Sequence, residues 1–238
     1  MKQQIAQVKN VMRLGLAFAS LVERDAGVPG IGLVYGFTGA GKSTAIAQLI
    51  IRVNGVFTRA SAVWTPNMML QELTHELGGQ PGGSNARMLK YCCEVLGKEP
   101  TPRAIFVDEA DYLLSNTKML ETLRDIHDVT GAPVVLIGMD GIQRKITLRP
   151  QFSRRITQWV EFKALDLSDT RTLIDTVCEV AISDDLAGKL HHAAGGSVGL
   201  MTVGLARIEQ VAKSQGWERV DAKAWGDKQF FLSRAPKA

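Results

Sequence analysis

The sequence contains no run of about 18 or more apolar residues, the length a helix needs to cross a bilayer, so no segment is expected to span a membrane. It has only three cysteines, Cys92, Cys93 and Cys178. None forms a C-x-x-C pair and three thiols build no disulfide framework, so the expected compartment is reducing, the cytoplasm of a bacterial host. The adjacent Cys92 and Cys93 read as helix thiols rather than a redox pair. The opening stretch, Met1 to Asn10, lacks the apolar core and small-residue cleavage site of a secretory signal. Large charge excess is also lacking: the net charge is +4, which permits nucleic-acid binding without requiring it. Internal repeats and low-complexity tracts are absent. What remains is an ordinary globular composition, 45% apolar and 22% charged over 238 residues. That length suits one large α/β core with a small appendage, or two small domains.

Hydrophobic periodicity divides the chain into two halves of different character. Ile5, Val8, Val11, Met12, Leu16 and Ala19 recur at helical spacing and predict a helix over 3–24, stopped by Gly27 to Gly30. Ile31 to Tyr35 reads as a buried strand running into Gly36, and a helix follows from Lys42 to Val53. A second strand is expected within Val56 to Val63, then a helix after Pro66 and another capped by Ser84. Ala104 to Val107 is a third, wholly apolar strand. A longer helix should carry Leu113, Leu114, Leu120, Leu123 and Ile126 on one face and close at Gly131. Val134 to Ile137 and Gln158 to Phe162 complete the strands. Strands alternating with helices predict a parallel sheet covered on both faces. After about Lys163 only helices are expected, one capped by Ser168, one by Ser183, one over Ser197 to Ser214 and one opened by Asp221. The predicted domains are therefore 1–163 and a small helical domain at 164–238.

Gly36-Phe-Thr-Gly-Ala-Gly41-Lys42-Ser43 fits G-x-x-x-x-G-K-[ST] at every fixed position. Glycines let backbone N–H groups curl around phosphate oxygens, and the helix that starts near Lys42 adds its positive dipole end. Lys42 is placed to reach the β- and γ-phosphates of ATP, and the Ser43 hydroxyl to ligate Mg²⁺. Gly36, Thr38, Gly39, Ala40, Gly41, Lys42, Ser43 and Thr44 form the predicted nucleotide-binding set. Asp108 and Glu109 stand just past the third strand, whose end delivers both carboxylates to the edge where the phosphate loop lies. Asp108 should hold the magnesium through water and Glu109 should polarise the attacking water as a base. The bland reading of Asp108 to Asp111 is an acidic helix start.

A basic stretch follows the fourth strand. Arg144, Lys145, Arg149, Arg154 and Arg155 lie close together in a segment without a carboxylate, the composition that phosphate contacts need. Arg144, Lys145 and Arg149 are the candidate DNA contacts, with a solvated loop as the plain alternative. Lys98 and Arg103 are weaker candidates. His191 and His192, adjacent on a helix, point about 100° apart and suit a surface or capping role better than a metal.

The phosphate loop, the run Asp108 to Leu113, the stretch Leu70 to Gly78 and Phe152-Ser-Arg-Arg-Ile156 together resemble the AAA+ ATPases. Within them they resemble the transposition target-binding group, the phage Mu B protein and the TniB and TnsC proteins. The likeness covers roughly residues 11 to 210. It implies an αβα core with a five-stranded parallel sheet in the order 5-1-4-3-2, followed by a small helical lid. It further implies ATP and Mg²⁺ as cofactors, ATP-dependent self-association into a filament or ring on double-stranded DNA, and delivery of that DNA to a transposase that stimulates hydrolysis. An arginine after the fourth strand would reach a neighbouring subunit's γ-phosphate, and Arg154 and Arg155 both stand at that place.

Two departures from the family pattern stand out. Met139, followed by Asp140, occupies the position of a polar sensor. Ser197 to Met201 lacks the lid arginine, and Arg207 lies about two turns later. Both put fast, self-sufficient hydrolysis in doubt. The residues ahead of the first strand also leave no room for the helix-turn-helix region of longer members, so DNA contact is expected from the core. The same core equally fits replication-initiation and helicase-loading ATPases, and a nucleotide-gated scaffold with little turnover is a third reading.

Overall fold

A computed structural model of the protein describes residues 1–98 and 100–231. In chain order its elements are α1 (Lys9–Val22), β1 (Ile31–Gly36), α2 (Lys42–Val53), β2 (Val56–Arg59), α3 (Pro66–Glu76), α4 (Asn85–Leu96) and β3 (Ile105–Asp108). A 3-10 helix (Ala110–Ser115) follows, then α5 (Thr117–Thr130), β4 (Val134–Met139), α6 (Ile142–Thr147), α7 (Pro150–Ser153) and β5 (Ile156–Phe162). The chain continues through α8 (Leu167–Val177), β6 (Ala181–Ile182), α9 (Asp184–Ala194), α10 (Val198–Ser214), β7 (Arg219–Val220) and α11 (Ala222–Trp225). Chain contacts define two compact units, one of Arg13–Phe37 with Lys42–Phe162 and one of Met1–Met12, Thr38–Gly41 and the residues from Lys163 onward.

The first of these units holds a parallel sheet in the order β2-β3-β4-β1-β5, the order the family resemblance implies. Its central strands are apolar on both faces because helices cover both. Ile31, Leu33, Ile105, Val107, Val134 and Leu136 join Met69, Leu73, Met88, Leu120, Leu123 and Ile126 in one core. Each fully buried Leu, Ile or Met side chain there contributes roughly 1.5–3 kcal/mol. On the other face Phe18 of α1 stacks on Phe106 at 5.8 Å between ring centres. Leu21 of α1 lies where a side chain at residue 32 would project, so Gly32 keeps α1 close to β1.

Local chemistry sets the helix ends, and several differ from expectation. The first helix begins at Lys9 rather than residue 3. The long helix expected before Gly131 is broken: Ala110–Ser115 winds as a 3-10 helix, and Asn116 starts α5 anew by accepting the Lys118 N–H. Asp166, not Ser168, caps α8, because its Oδ1 accepts the Asp169 N–H while the Ser168 hydroxyl donates to that same oxygen. Ser183 stands at the N-cap of α9 but gives no side-chain cap; its hydroxyl donates to Asp185. Ser84 and Asp221 cap α4 and α11 as expected, and Ser197, expected inside its helix, stands at the N-cap of α10. The last strand starts two residues earlier than predicted, at Ile156.

His127 ties the base of the sheet together. It is buried; its Nδ1 hydrogen is donated to the Ala132 carbonyl (2.7 Å) and its Nε2 accepts the Gly30 N–H (3.0 Å). That pair of partners fixes the neutral tautomer, and burial lowers the imidazole's basicity.

The second unit is helical around Leu173, Ile174, Leu186, Leu190, Met201, Leu205, Ile208 and Trp225. A short parallel pair, β6 with β7, was not anticipated; each strand has two residues, too few for a readable alternation. Thr170 and His191 share a hydrogen bond (2.8 Å), which gives one of the adjacent histidines a structural partner. All three cysteines are free.

Candidate functional site

The carboxyl edge of the sheet collects the chemistry the sequence singled out. Register pairs Gly36 with Met139 across β1 and β4, and Arg59 with Asp108 across β2 and β3. The end of every strand from β2 to β1 therefore contributes a residue to this edge.

Gly36 ends β1 with φ +150°, and a Cβ there would sit 2.4 Å from the Phe162 carbonyl oxygen of β5. Gly39 and Gly41 both hold φ +87°, so the loop turns through conformations that side chains disfavour, the kind of turn in which successive backbone N–H groups can form an anion-binding concavity. Lys42 opens α2, and its ammonium donates to the carbonyls of Gly36 (2.6 Å) and Phe37 (2.9 Å). Partial burial lowers its pKa, and the negative charges of Asp108, Glu109, Asp111 and Asp140 oppose that shift. Ser43 and Thr44 are exposed in the first turn of α2.

Asp108 and Glu109 are both half-buried. Asp108 Oδ1 accepts the Glu109 N–H (2.9 Å), which orients the carboxylate at the strand's end. Glu109 has left-handed backbone angles, φ 54° and ψ 37°, a conformation that costs a non-glycine residue about 1–3 kcal/mol and gathers at functional sites. Its Oε1 meets Arg59 Nη2 at 3.2 Å. Arg59 was not singled out in the sequence; its position at the end of a four-residue strand became meaningful only once β2 lay beside β3.

The donor set fits magnesium. A serine hydroxyl and a single strand-end carboxylate are hard oxygen ligands, and Mg²⁺ typically takes one or two carboxylates and completes its shell with phosphate and water. No cluster of three or more acidic, histidine or cysteine side chains that would suit a protein-caged metal exists among the described residues.

The basic segment looks different once folded. The stretch without a carboxylate in sequence meets carboxylates in space: Lys145 lies 3.7 Å from Asp111, and Arg155 pairs with Asp128 at 2.5 Å. Arg149 donates to the carbonyls of Leu114 (2.6 Å) and Lys145 (3.3 Å). Arg144 and Arg154 are exposed, and their guanidinium groups have no protein partner among the described residues. Arg103 donates to the Glu76 carbonyl, and Lys98 is exposed.

At the position of the missing polar sensor, the Met139 N–H donates to Asp111 Oδ2 (2.8 Å). Within the helical unit, the Ser197 hydroxyl (3.3 Å) and the Gly199 N–H (3.1 Å) both donate to the Gly39 carbonyl. Arg207 is half-buried, with Nε and Nη1 unpartnered among the described residues.

A glycine-turned loop between β1 and α2, with an Asp-Glu pair ending β3 in a sheet of order 2-3-4-1-5, defines a P-loop fold of the AAA+ type. The model of a family described as an AAA domain matches residues 25–146, more than half of the chain, and the chain belongs to that family. No curated protein matches the sequence. Among solved structures it is similar to the ORC2 protein of Aeropyrum pernix in ADPNP–ADP complexes, with TM-score 0.72 and 17% identity over 94% of this chain and 68% of that one. It is similar to the Aeropyrum pernix ORC1 protein in complex with DNA (TM-score 0.61, 19% identity, 92% and 63%). It is also similar to Cdc6p from Pyrobaculum aerophilum (TM-score 0.61, 14% identity, 88% and 62%). The chain thus spans 62 to 68% of the length of these three structures. At such identities the likeness is one of fold. No helix among the described residues is long and apolar enough to cross a membrane.

Proposed function

We propose that this chain is an ATP-dependent, sequence-nonspecific DNA-binding ATPase that self-associates on duplex DNA and delivers it to a transposase, with slow intrinsic hydrolysis. The observation that carries the ATPase part is that Gly36 at the end of β1 and Lys42 at the start of α2 stand at the same sheet edge as Asp108 and Glu109. In this reading residues 1–163 form the nucleotide-binding core and 164–238 a small helical lid.

Each residue has a distinct task. The loop N–H groups of Thr38 to Thr44 and the Lys42 ammonium hold the phosphates. Ser43 and Asp108 would hold magnesium, which when bound would neutralise phosphate charge. Glu109 accepts a proton from the attacking water, and the Arg59 contact restrains it until the site is loaded. Arg154, exposed and without a protein partner among the described residues, serves as the finger across a subunit joint, while Arg155 is engaged by Asp128. Arg144, with Lys145 beside it, provides the DNA contact; Arg149 positions the segment.

The transposition role is supported by the sequence likeness at Leu70 to Gly78 and Phe152 to Ile156. A second reading, a replication-initiation ATPase, is favoured by the fold likeness to ORC and Cdc6 proteins, one of them solved with DNA and another with adenine nucleotides. Both readings share ATP, DNA and self-association. Electron microscopy with ATP and duplex DNA, phosphate release with and without DNA, and binding assays against a transposase and a replicative helicase separate them. DNA-bound filaments and stimulation by a transposase support the first; a helicase partner supports the second. Absence of ATP-dependent DNA binding overturns both.

A further inference from the structure

The pairing of β3 with β4 runs from Ile105 and Val134 to Val107 and Leu136, while β4 itself continues to Met139, beside Gly36 of β1. Past Asp108 the chain leaves the strand through Glu109, whose backbone is left-handed and whose side chain gives the following 3-10 helix no cap. Two residues later, Asp111 Oδ2 accepts the Met139 N–H at 2.8 Å. A side chain of the 3-10 helix thus takes over from the ladder where the two strands part. Gly138 leaves the room for it: a Cβ there would lie 2.8 Å from Asp111 Oδ2 and 2.5 Å from Ile142 Cδ1. The other oxygen, Oδ1, lies 3.7 Å from the exposed Lys145 ammonium.

We infer that Asp111 is a positioning residue for Glu109: by tying the 3-10 helix to the end of β4, it holds the left-handed turn from which the Glu109 carboxylate is presented to the nucleotide site. The inference rests on the reading of the chain as an ATPase with Glu109 as its base.

Backbone strain gives the reason. A non-glycine residue stays in the left-handed region only where its surroundings over-determine it, and such residues gather at functional sites. Within the turn, the Glu109 carbonyl accepts the Tyr112 N–H at 3.0 Å. Ala110 and Leu113 are buried in the core and set the depth of the 3-10 helix. Apolar burial has no direction, however, whereas the hydrogen bond from Met139 to Asp111 does. Arg59 acts on the same glutamate in another way. It meets the Glu109 carboxylate itself, while Asp111 acts on the backbone that carries it.

The test measures single-turnover ATP hydrolysis and fluorescent-nucleotide affinity in the full chain with magnesium and duplex DNA, well below the melting temperature of each variant. Asp111→Ala should lower the hydrolysis rate by about 10- to 100-fold, the scale of a roughly 1 Å misplacement of a reacting group, with nucleotide affinity unchanged. Asp111→Asn keeps an acceptor for the Met139 N–H and should recover most of the lost rate. Asp111→Glu keeps the charge but displaces the acceptor and should not. In a Glu109→Gln chain, Asp111→Ala should bring no further loss, because the group it positions is already gone. A general loss of structure would instead slow both backgrounds alike. If Asp111→Ala folds poorly, the comparison of the Asn and Glu variants decides alone. Equal loss in both backgrounds, wild-type hydrolysis or weakened nucleotide binding in Asp111→Ala, or a Glu variant as fast as the Asn variant overturns the inference and leaves the ATPase reading intact. A wild-type chain that hydrolyses no ATP, or a Glu109→Gln chain that hydrolyses it normally, overturns that reading and the inference with it.

Discussion

Arg59 Nη2 stands 3.2 Å from Oε1 of Glu109, joining the end of β2 to the residue proposed to activate water. The contact depends on register, since Arg59 lies beside Asp108 in the sheet and Glu109 follows it with a left-handed backbone. The ion pair occupies a carboxylate oxygen that would otherwise be open to a water molecule. Arg59→Ala should therefore raise nucleotide hydrolysis in the absence of DNA by up to about fivefold, the equivalent of an exposed pair worth up to about 1 kcal/mol. A steady-state phosphate assay checks this. A slower variant means that Arg59 assists catalysis instead of restraining it.

Lys42→Ala and Glu109→Gln should fail at different stages. The first removes the proposed phosphate ligand and should abolish ATP binding with an unchanged circular dichroism spectrum. The second keeps the loop and Asp108, so ATP stays bound while hydrolysis falls by about 10²–10⁴-fold and DNA complexes last longer. Fluorescent-nucleotide titration alongside single-turnover hydrolysis tells them apart. A folded Lys42 variant with wild-type nucleotide affinity removes the basis of the assignment.

His127 makes stability depend on pH in a defined direction. Burial holds its folded-state pKa below the ordinary value near 6.5, so the folded chain binds fewer protons there than the unfolded chain. The contribution is fully present above about pH 6.5 and declines as the pH falls through the depressed folded value. Denaturant midpoints should drop between pH 7.5 and 5.0 more steeply in the wild type than in His127→Leu. The variant should already be weaker at pH 7.5 by about 1–3 kcal/mol, because the Gly30 N–H and the Ala132 carbonyl lose their partner. Parallel pH curves for the two proteins would count against this role.

Arg154 and Arg155 can be separated by combining melting with turnover. Arg155→Ala loses the Asp128 contact and should lower the melting temperature slightly. Arg154→Ala should leave melting and monomer nucleotide affinity unchanged, yet reduce hydrolysis by the DNA-bound assembly by about a thousandfold. If Arg155→Ala gives that loss and Arg154→Ala does not, the two assignments exchange.

The phosphate loop and the Asp108–Glu109 pair were legible because their chemistry is fixed by neighbours in sequence. A loop that cradles phosphate needs its glycines and lysine at set spacing, and an apolar strand followed by two carboxylates needs no distant partner to be recognised. The sheet order came from the family resemblance those residues carried. What was not legible depended on competition or on space. Leu113 and Leu114 continue the helical periodicity of α5, so the break at Asn116 was hidden until its side chain was seen capping Lys118. Asp166 and Ser168 are both good caps two residues apart, and only geometry shows the serine donating to the aspartate. The partners of Arg59, Lys145 and Arg155 lie far away in sequence. A cluster of cations read as unpaired along the chain therefore became, in part, a set of ion pairs.

Gly36 carries a further implication for how such a chain can drift over generations. The obstacle to a larger residue there is the Phe162 carbonyl of the adjoining strand, 2.4 Å from where a Cβ would stand, and not the approach of a ligand. Selection for folding alone is enough to retain this glycine. A descendant that had abandoned nucleotides altogether would be free to lose Lys42 but would still display Gly36, and its first glycine would be a fossil of the fold instead of a sign of activity.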